Sequence, residues 1–115
     1  MLSVEETGVL KNLIMHCKRI EEKVNGIPKE DFDANLDIKE IVCFNIFQIG
    51  ELSKTLPESF IATYNQVPWK KVMGMRNRIG HGYGTIDMNR VWGTATKDIK
   101  PLREYCESIL KETIA

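Results

Sequence analysis

Apolar residues recur along this chain at helical spacing almost from its first residue. Val9, Leu10, Leu13, Ile14, Cys17, Ile20 and Val24 fall at intervals of three and four, which places them on one face of a helix. Ser3 is a suitable N-cap, and Glu6 three residues on completes a capping box. Gly26 and Pro28 stop the pattern, so a first helix is predicted over about residues 4–25. Residues 29–35 read as a short helical turn or a loop. A long helix follows over about residues 36–56, with Ile38, Ile41, Val42, Ile46, Ile49, Leu52 and Leu56 on its apolar face. Phe44 and Phe47 widen that face, so this helix is expected to be central and packed on more than one side. Its β-branched content suggests strand, but a run of this length exceeds what strands reach.

Pro57 ends the long helix, and Glu58 to about Tyr64 or Asn65 reads as a short one. Pro68 suits the first position of a further helix. That helix runs from Trp69 through Val72, Met73 and Arg76 to about Ile79. Gly80, Gly82 and Gly84 then predict an irregular loop or a frayed end. Asp87 is placed to cap a last helix carrying Val91, Trp92, Ala95, Ile99, Leu102, Tyr105, Cys106 and Ile109. Pro101 inside it removes a backbone donor and clashes one turn back, so a kink is expected there. No strand is predicted. The fold class is all-α: an antiparallel bundle of four to five helices with short loops and a kinked C-terminal helix.

Length and composition add limits. A chain of 115 residues fits one domain over residues 1–115. Hydrophobic residues make up 43% and charged residues 28%, an ordinary soluble globular composition. Sixteen basic residues balance sixteen acidic ones, so bulk charge cannot capture nucleic acid and any RNA contact must come from a focused basic site. Cys17, Cys43 and Cys106 are widely spaced and lack metal-ligand spacing. They are expected to be reduced, mostly buried thiols of a cytoplasmic protein. There is no signal-peptide pattern and no apolar run long enough to span a membrane. Neither a metal nor a cofactor site is expected.

The chemistry concentrates in Arg76, Asn77, His81 and Tyr83. Arg76 supplies a permanently charged fork for phosphate. His81 titrates near neutrality and can move a proton. Asn77 offers a donor and an acceptor. The flanking glycines let a polyanion approach the backbone. A cation and a proton shuttle suffice for RNA cleavage without metal, the 2′-hydroxyl attacking its own phosphate. One geometric obstacle stands in the way. Residues five apart on a straight helix lie about 140° apart, so Arg76 and His81 do not share a face. Either the helix ends near Ile79 or Gly80 and His81 folds back, or two copies of the segment meet in a symmetric dimer. The same residues are also what a solvated helix end with a histidine cap would carry.

The string from Arg76 to Tyr83 resembles the Arg-x-x-x-x-His-x-Tyr motif of HepT-like proteins in the HEPN superfamily. Similar flanks are Ile46 to Leu56 with Ile49-Gly50-Glu51, the approach from Pro68 to Met75, and Val91-Trp92 to Leu110 with its interior Pro101. The resemblance implies an all-helical homodimer and a metal-independent endoribonuclease toxin. Its implied partner is a minimal nucleotidyltransferase antitoxin that silences the toxin by attaching AMP to the motif tyrosine. By position, Arg76 and His81 become catalytic, Asn77 assisting, and Tyr83 the modification site. A bulky anion at Tyr83 fills the cleft and repels RNA phosphates. The alternative is a non-catalytic helical dimer module that binds the nucleotidyltransferase.

Other residues receive structural readings. His16 is expected at the surface or an interface, and Tyr64 and Tyr105 in packing. Trp69 and Trp92 are expected to anchor the core or an interface, and Met73 and Met75 to fill one. Glu51 either orients Arg76 or is simply exposed. Lys70, Lys71, Arg76 and Arg78 form a basic cluster fit for an RNA backbone or a solvated face.

Overall fold

A computed structural model describes residues 2–75, 77 and 86–114, the side chains of 113 and 114 aside. Most of the described residues are helical and none of them forms a strand, as the periodicity predicts. In chain order the elements are α1 (Val4–Val24), α2 (Lys29–Ala34), α3 (Leu36–Ser53), α4 (Glu58–Thr63), α5 (Trp69–Met73) and α6 (Met88–Gly93). A π-helical turn (Thr94–Asp98) then leads into α7 (Ile99–Ile114). None of the described helices is long and apolar enough to cross a membrane.

α1, α3 and α7 build the body of the bundle. α1 packs along both of the others. Its buried Leu10, Leu13, Cys17 and Ile20 join Val42, Ile46 and Ile49 of α3 and Ile99, Cys106 and Ile109 of α7 in one core. Each such aliphatic side chain contributes about 1.5–3 kcal/mol by leaving water. α1 and α7 run antiparallel. Glu21 meets Arg103, and Asn25 faces Thr96 across a hollow. Arg103 fixes this pairing: its Nε and Nη2 donate to the two Glu21 carboxylate oxygens at 2.6 and 3.0 Å, and Nη1 donates to Glu107 at 2.7 Å. The Glu21 hydrogen bond is the main reason the Arg103 guanidinium holds its proton even more tightly than usual.

The predicted caps are present. Ser3 Oγ accepts from the Glu6 amide and Glu6 Oε1 accepts from the Ser3 amide. Asp87 Oδ1 accepts from the amides of Asn89 and Arg90 at the start of α6. Gly26 closes α1 at φ 75°, a left-handed conformation that favours glycine. The segment after it, ambiguous between turn and loop, is the helix α2, and its Phe32 is fully buried.

Several expectations need correction. α3 stops at Ser53, three residues early, although Leu56 is still buried. Ser53 and Thr55 hydroxyls donate to the carbonyls of Ile49 and Leu52, which gives the last turn non-ladder partners. Pro57 also disfavours helical backbone at Leu56. Phe44 is 55% exposed rather than buried. It lies about 200° around the helix from Ile46, on the face away from the core. Tyr105 is 39% exposed, because the core of α7 is the Ile99, Leu102, Cys106, Ile109 stripe and Tyr105 sits one position off it. His16, expected outside, is buried at 8% exposure. It occupies the 13–16–17–20 stripe of α1, and its Nδ1 lies 2.7 Å from Asn45 Oδ1 on α3. Asn45 Nδ2 in turn donates to the Ile41 carbonyl, so both polar groups have partners.

The long C-terminal helix runs without a break from Met88 to Ile114 and carries a π turn within it. It is α6, a π turn and α7, with Pro101 in the first turn of α7. The residue four before Pro101 is Lys97, within the π turn. A π turn adds a residue per turn and so relaxes the ladder where proline would clash with it.

Candidate active site

α4 and α5 aim the chain at the motif. Phe60 and Tyr64 of this region stack with ring centroids 4.8 Å apart, and Phe60 meets Trp69 edge-on at 5.7 Å. Trp69 is 2% exposed, and its indole Nε1–H donates to the Tyr64 carbonyl at 2.9 Å. Tyr64 is therefore a packing residue and Trp69 a core anchor, as expected. Trp92 packs on Phe32 with centroids 5.0 Å apart. The predicted helix from Trp69 is interrupted at Gly74, where an added Cβ would lie 3.3 Å from the Lys70 carbonyl. Met75 and Asn77 are again helical. Val72 and Met75, both 2% exposed, pin this stretch to the core immediately before Arg76.

Of the four residues singled out in the sequence, the structure places Asn77, which is exposed. Arg76, His81 and Tyr83 lie outside the described residues, as do Arg78 and the glycines Gly80, Gly82 and Gly84. The two proposed remedies for the Arg76–His81 spacing fall there as well. Past the motif, Ile86 packs against the core and Asp87 caps α6. Hence the core reaches the motif from both sides, through Met75 and through Ile86.

Charge around this region is partly visible. Lys70 and Lys71 of the expected basic cluster are exposed. Glu51 is exposed on α3, 3.5 Å from Lys54. Among the described residues no group of three or more His, Cys, Asp or Glu side chains could hold a metal ion. The three cysteines are free and buried. Burial raises the pKa of each, pushing that of Cys106 up to about 12, which disfavours the thiolate at neutral pH.

A cleft of about 360 Å³ opens between α5 and the π turn with α7. Val72, Met75 and Leu102 form its apolar floor, and Lys71, Lys97 and Tyr105 stand at its sides. Sequence reasoning did not single out Lys97 or Tyr105 as residues that line a cleft. Tyr105 was read as packing, and the π turn that carries Lys97 leaves no mark in apolar periodicity. The only available hint was that Tyr105 stands off the apolar stripe of its helix.

Known proteins similar to this chain include several described as ribonucleases. A candidate RNase of Caldanaerobacter subterraneus subsp. tengcongensis is 31% identical over 103 residues, covering 90% of this chain and 92% of the relative. A candidate RNase of Methanocaldococcus jannaschii is 34% identical over 103 residues, covering 90% and 89%. A protein of Thermococcus cleftensis assigned as ribonuclease HepT is 29% identical over 102 residues, covering 89% and 93%. No solved structure gives a significant match. The family model for HepT-like ribonucleases matches residues 13–109, a stretch that runs from the middle of α1 through the Arg76–Tyr83 string to the last core residue of α7, and the chain belongs to that family.

Proposed function

We propose that this ribonuclease is a metal-independent endoribonuclease toxin, the whole chain acting as one HEPN-like domain in a homodimer. The observation that carries the reading is that the family match over residues 13–109 contains an intact Arg76-x-x-x-x-His81-x-Tyr83 string. Arg76 neutralises charge on the phosphate, and His81 moves the proton. The 2′-hydroxyl oxygen of the substrate bonds to phosphorus and the bond to the 5′-oxygen breaks. The proton lost by the 2′-hydroxyl is balanced by one gained at the 5′-oxygen, leaving a cyclic phosphate and a 5′-hydroxyl. Asn77, exposed one residue beyond Arg76, assists by hydrogen bonding to the substrate. Tyr83 is the switch: a minimal nucleotidyltransferase antitoxin transfers AMP to its hydroxyl, and the added anion shuts the cleft to RNA.

The test is RNA cleavage by the purified protein with EDTA present. The parent should cut and release 5′-hydroxyl ends, while His81→Ala, folded by circular dichroism, should not. Equal cutting by the two proteins would remove His81 from the mechanism. A folded parent that cuts no RNA would instead favour a non-catalytic dimer that serves only to bind the nucleotidyltransferase.

A further inference from the structure

We propose that the cleft between α5 and α7 is the track for a single strand of the RNA substrate, with Tyr105 stacking on a base and Lys71 and Lys97 each holding a backbone phosphate. The proposal rests on the ribonuclease reading and names the part of the site that grips substrate beside the motif.

Position comes first. The floor of the cleft is Val72 and Met75, and Met75 is the residue directly before Arg76. A strand lying on this floor therefore abuts the point where the chain enters the motif.

Chemistry comes second. Single-strand binding without a preformed duplex needs an aromatic face for a base and cations at the spacing of the backbone. The cleft supplies both. Tyr105 is 39% exposed although it is a large aromatic on a helix with a well-filled core stripe, so core packing does not account for it. Lys71 of α5 and Lys97 of the π turn both line the cleft. In a chain with no net charge, such a focused pair is what RNA binding requires. Asp98 also lines the cleft and engages a contact of its own.

Shape comes third. The cleft does not end at one nucleotide. Lys97 and Asp98 continue into a hollow bounded by Arg90 and Thr94, and Pro101 and Tyr105 continue into another bounded by Glu104 and Ser108. The result is a groove along α6 and α7 rather than a closed pocket, which suits a strand better than a free nucleotide. The π turn lies at its middle, and such turns recur where a helix must re-aim side chains for function.

A short fluorescein-labelled single-stranded RNA with 2′-O-methyl sugars cannot cleave itself, and its anisotropy reports binding to the full chain. Tyr105→Ala should weaken binding about tenfold, within the range for loss of one base stack, and Tyr105→Phe should restore it. The Lys71→Ala/Lys97→Ala double variant should flatten the slope of log K against log salt by about 1.4, two phosphate contacts on a single strand. All three positions are exposed or half-exposed, so the variants should melt as the parent does. Parent-like binding by Tyr105→Ala, an unchanged salt slope in the double variant, or a parent that binds no RNA overturns the proposal. The two readings separate cleanly. A parent that binds in this Tyr105-dependent way yet cuts nothing refutes the ribonuclease mechanism alone. A parent that cuts, beside variants that bind and cut equally well, refutes the groove alone.

Discussion

Arg103→Met tests how the two ends of the chain are joined. Arg103 on α7 meets Glu21 on α1 through two hydrogen bonds, 2.6 and 3.0 Å, and meets Glu107 at 2.7 Å. Unit charges about 4 Å apart attract by about 4 kcal/mol at an effective dielectric of 20. Desolvation and side-chain ordering remove most of that, and fully exposed pairs retain only about 0.2–1 kcal/mol. Here the Arg103 and Glu21 side chains are 21% and 25% exposed, and the two-pronged geometry fixes the fork. The Arg103–Glu21 coupling should therefore lie above the exposed range, at about 1–2 kcal/mol. The single Arg103→Met change should cost more, about 2–3 kcal/mol, because it also leaves Glu21 and Glu107 facing each other without a cation. Methionine keeps much of the aliphatic stem, so the loss reports charge rather than packing. In a domain of this size the midpoint of thermal unfolding should fall by roughly 10 °C. Urea unfolding of the parent, Arg103→Met, Glu21→Gln and the double variant measures the coupling as a thermodynamic cycle. A coupling indistinguishable from zero would mean that apolar packing alone holds α1 to α7.

Met75→Ala should create a cavity under the motif and cost about 2–4 kcal/mol in urea unfolding. RNA cleavage should fall further than the folded fraction does, since Met75 anchors the chain directly before Arg76; parent-rate cleavage by the folded variant would show that the anchor is not needed. The three thiols should resist a thiol-labelling reagent in the native protein and react on unfolding. Burial raises the native thiol pKa, for Cys106 from 9.0 to about 12. The unfolded chain therefore loses its protons first, and this contribution to stability is complete below pH 9.0 and lost as pH climbs toward 12. The urea midpoint should decline through that window, and prompt native labelling at neutral pH would contradict the burial that drives it.

Much of the fold was legible in the sequence because helices follow local rules. The α1 stripe, the Ser3–Glu6 box, the Asp87 cap and the stop at Gly26 depend on residues within one or two turns of each other. The motif was legible for a different reason: Arg76, His81 and Tyr83 form a string whose spacing can be read without knowing where the side chains go. What depends on a third dimension was not legible. His16 looked like a surface or interface histidine because its partner, Asn45, is twenty-nine residues away. Phe44 and Tyr105 looked buried because hydrophobicity does not say which arc of a helix meets a neighbour. The cleft between α5 and the π turn at Thr94–Asp98 exists only once two segments about twenty-five residues apart are brought side by side. The sequence by itself thus determined most of the helices, their caps and the spacing of the Arg76–Tyr83 string. The tertiary structure decided which faces are covered, and so which side chains line the cleft between α5 and α7. Periodicity is a property of one helix, whereas a cleft is a property of the gap between two.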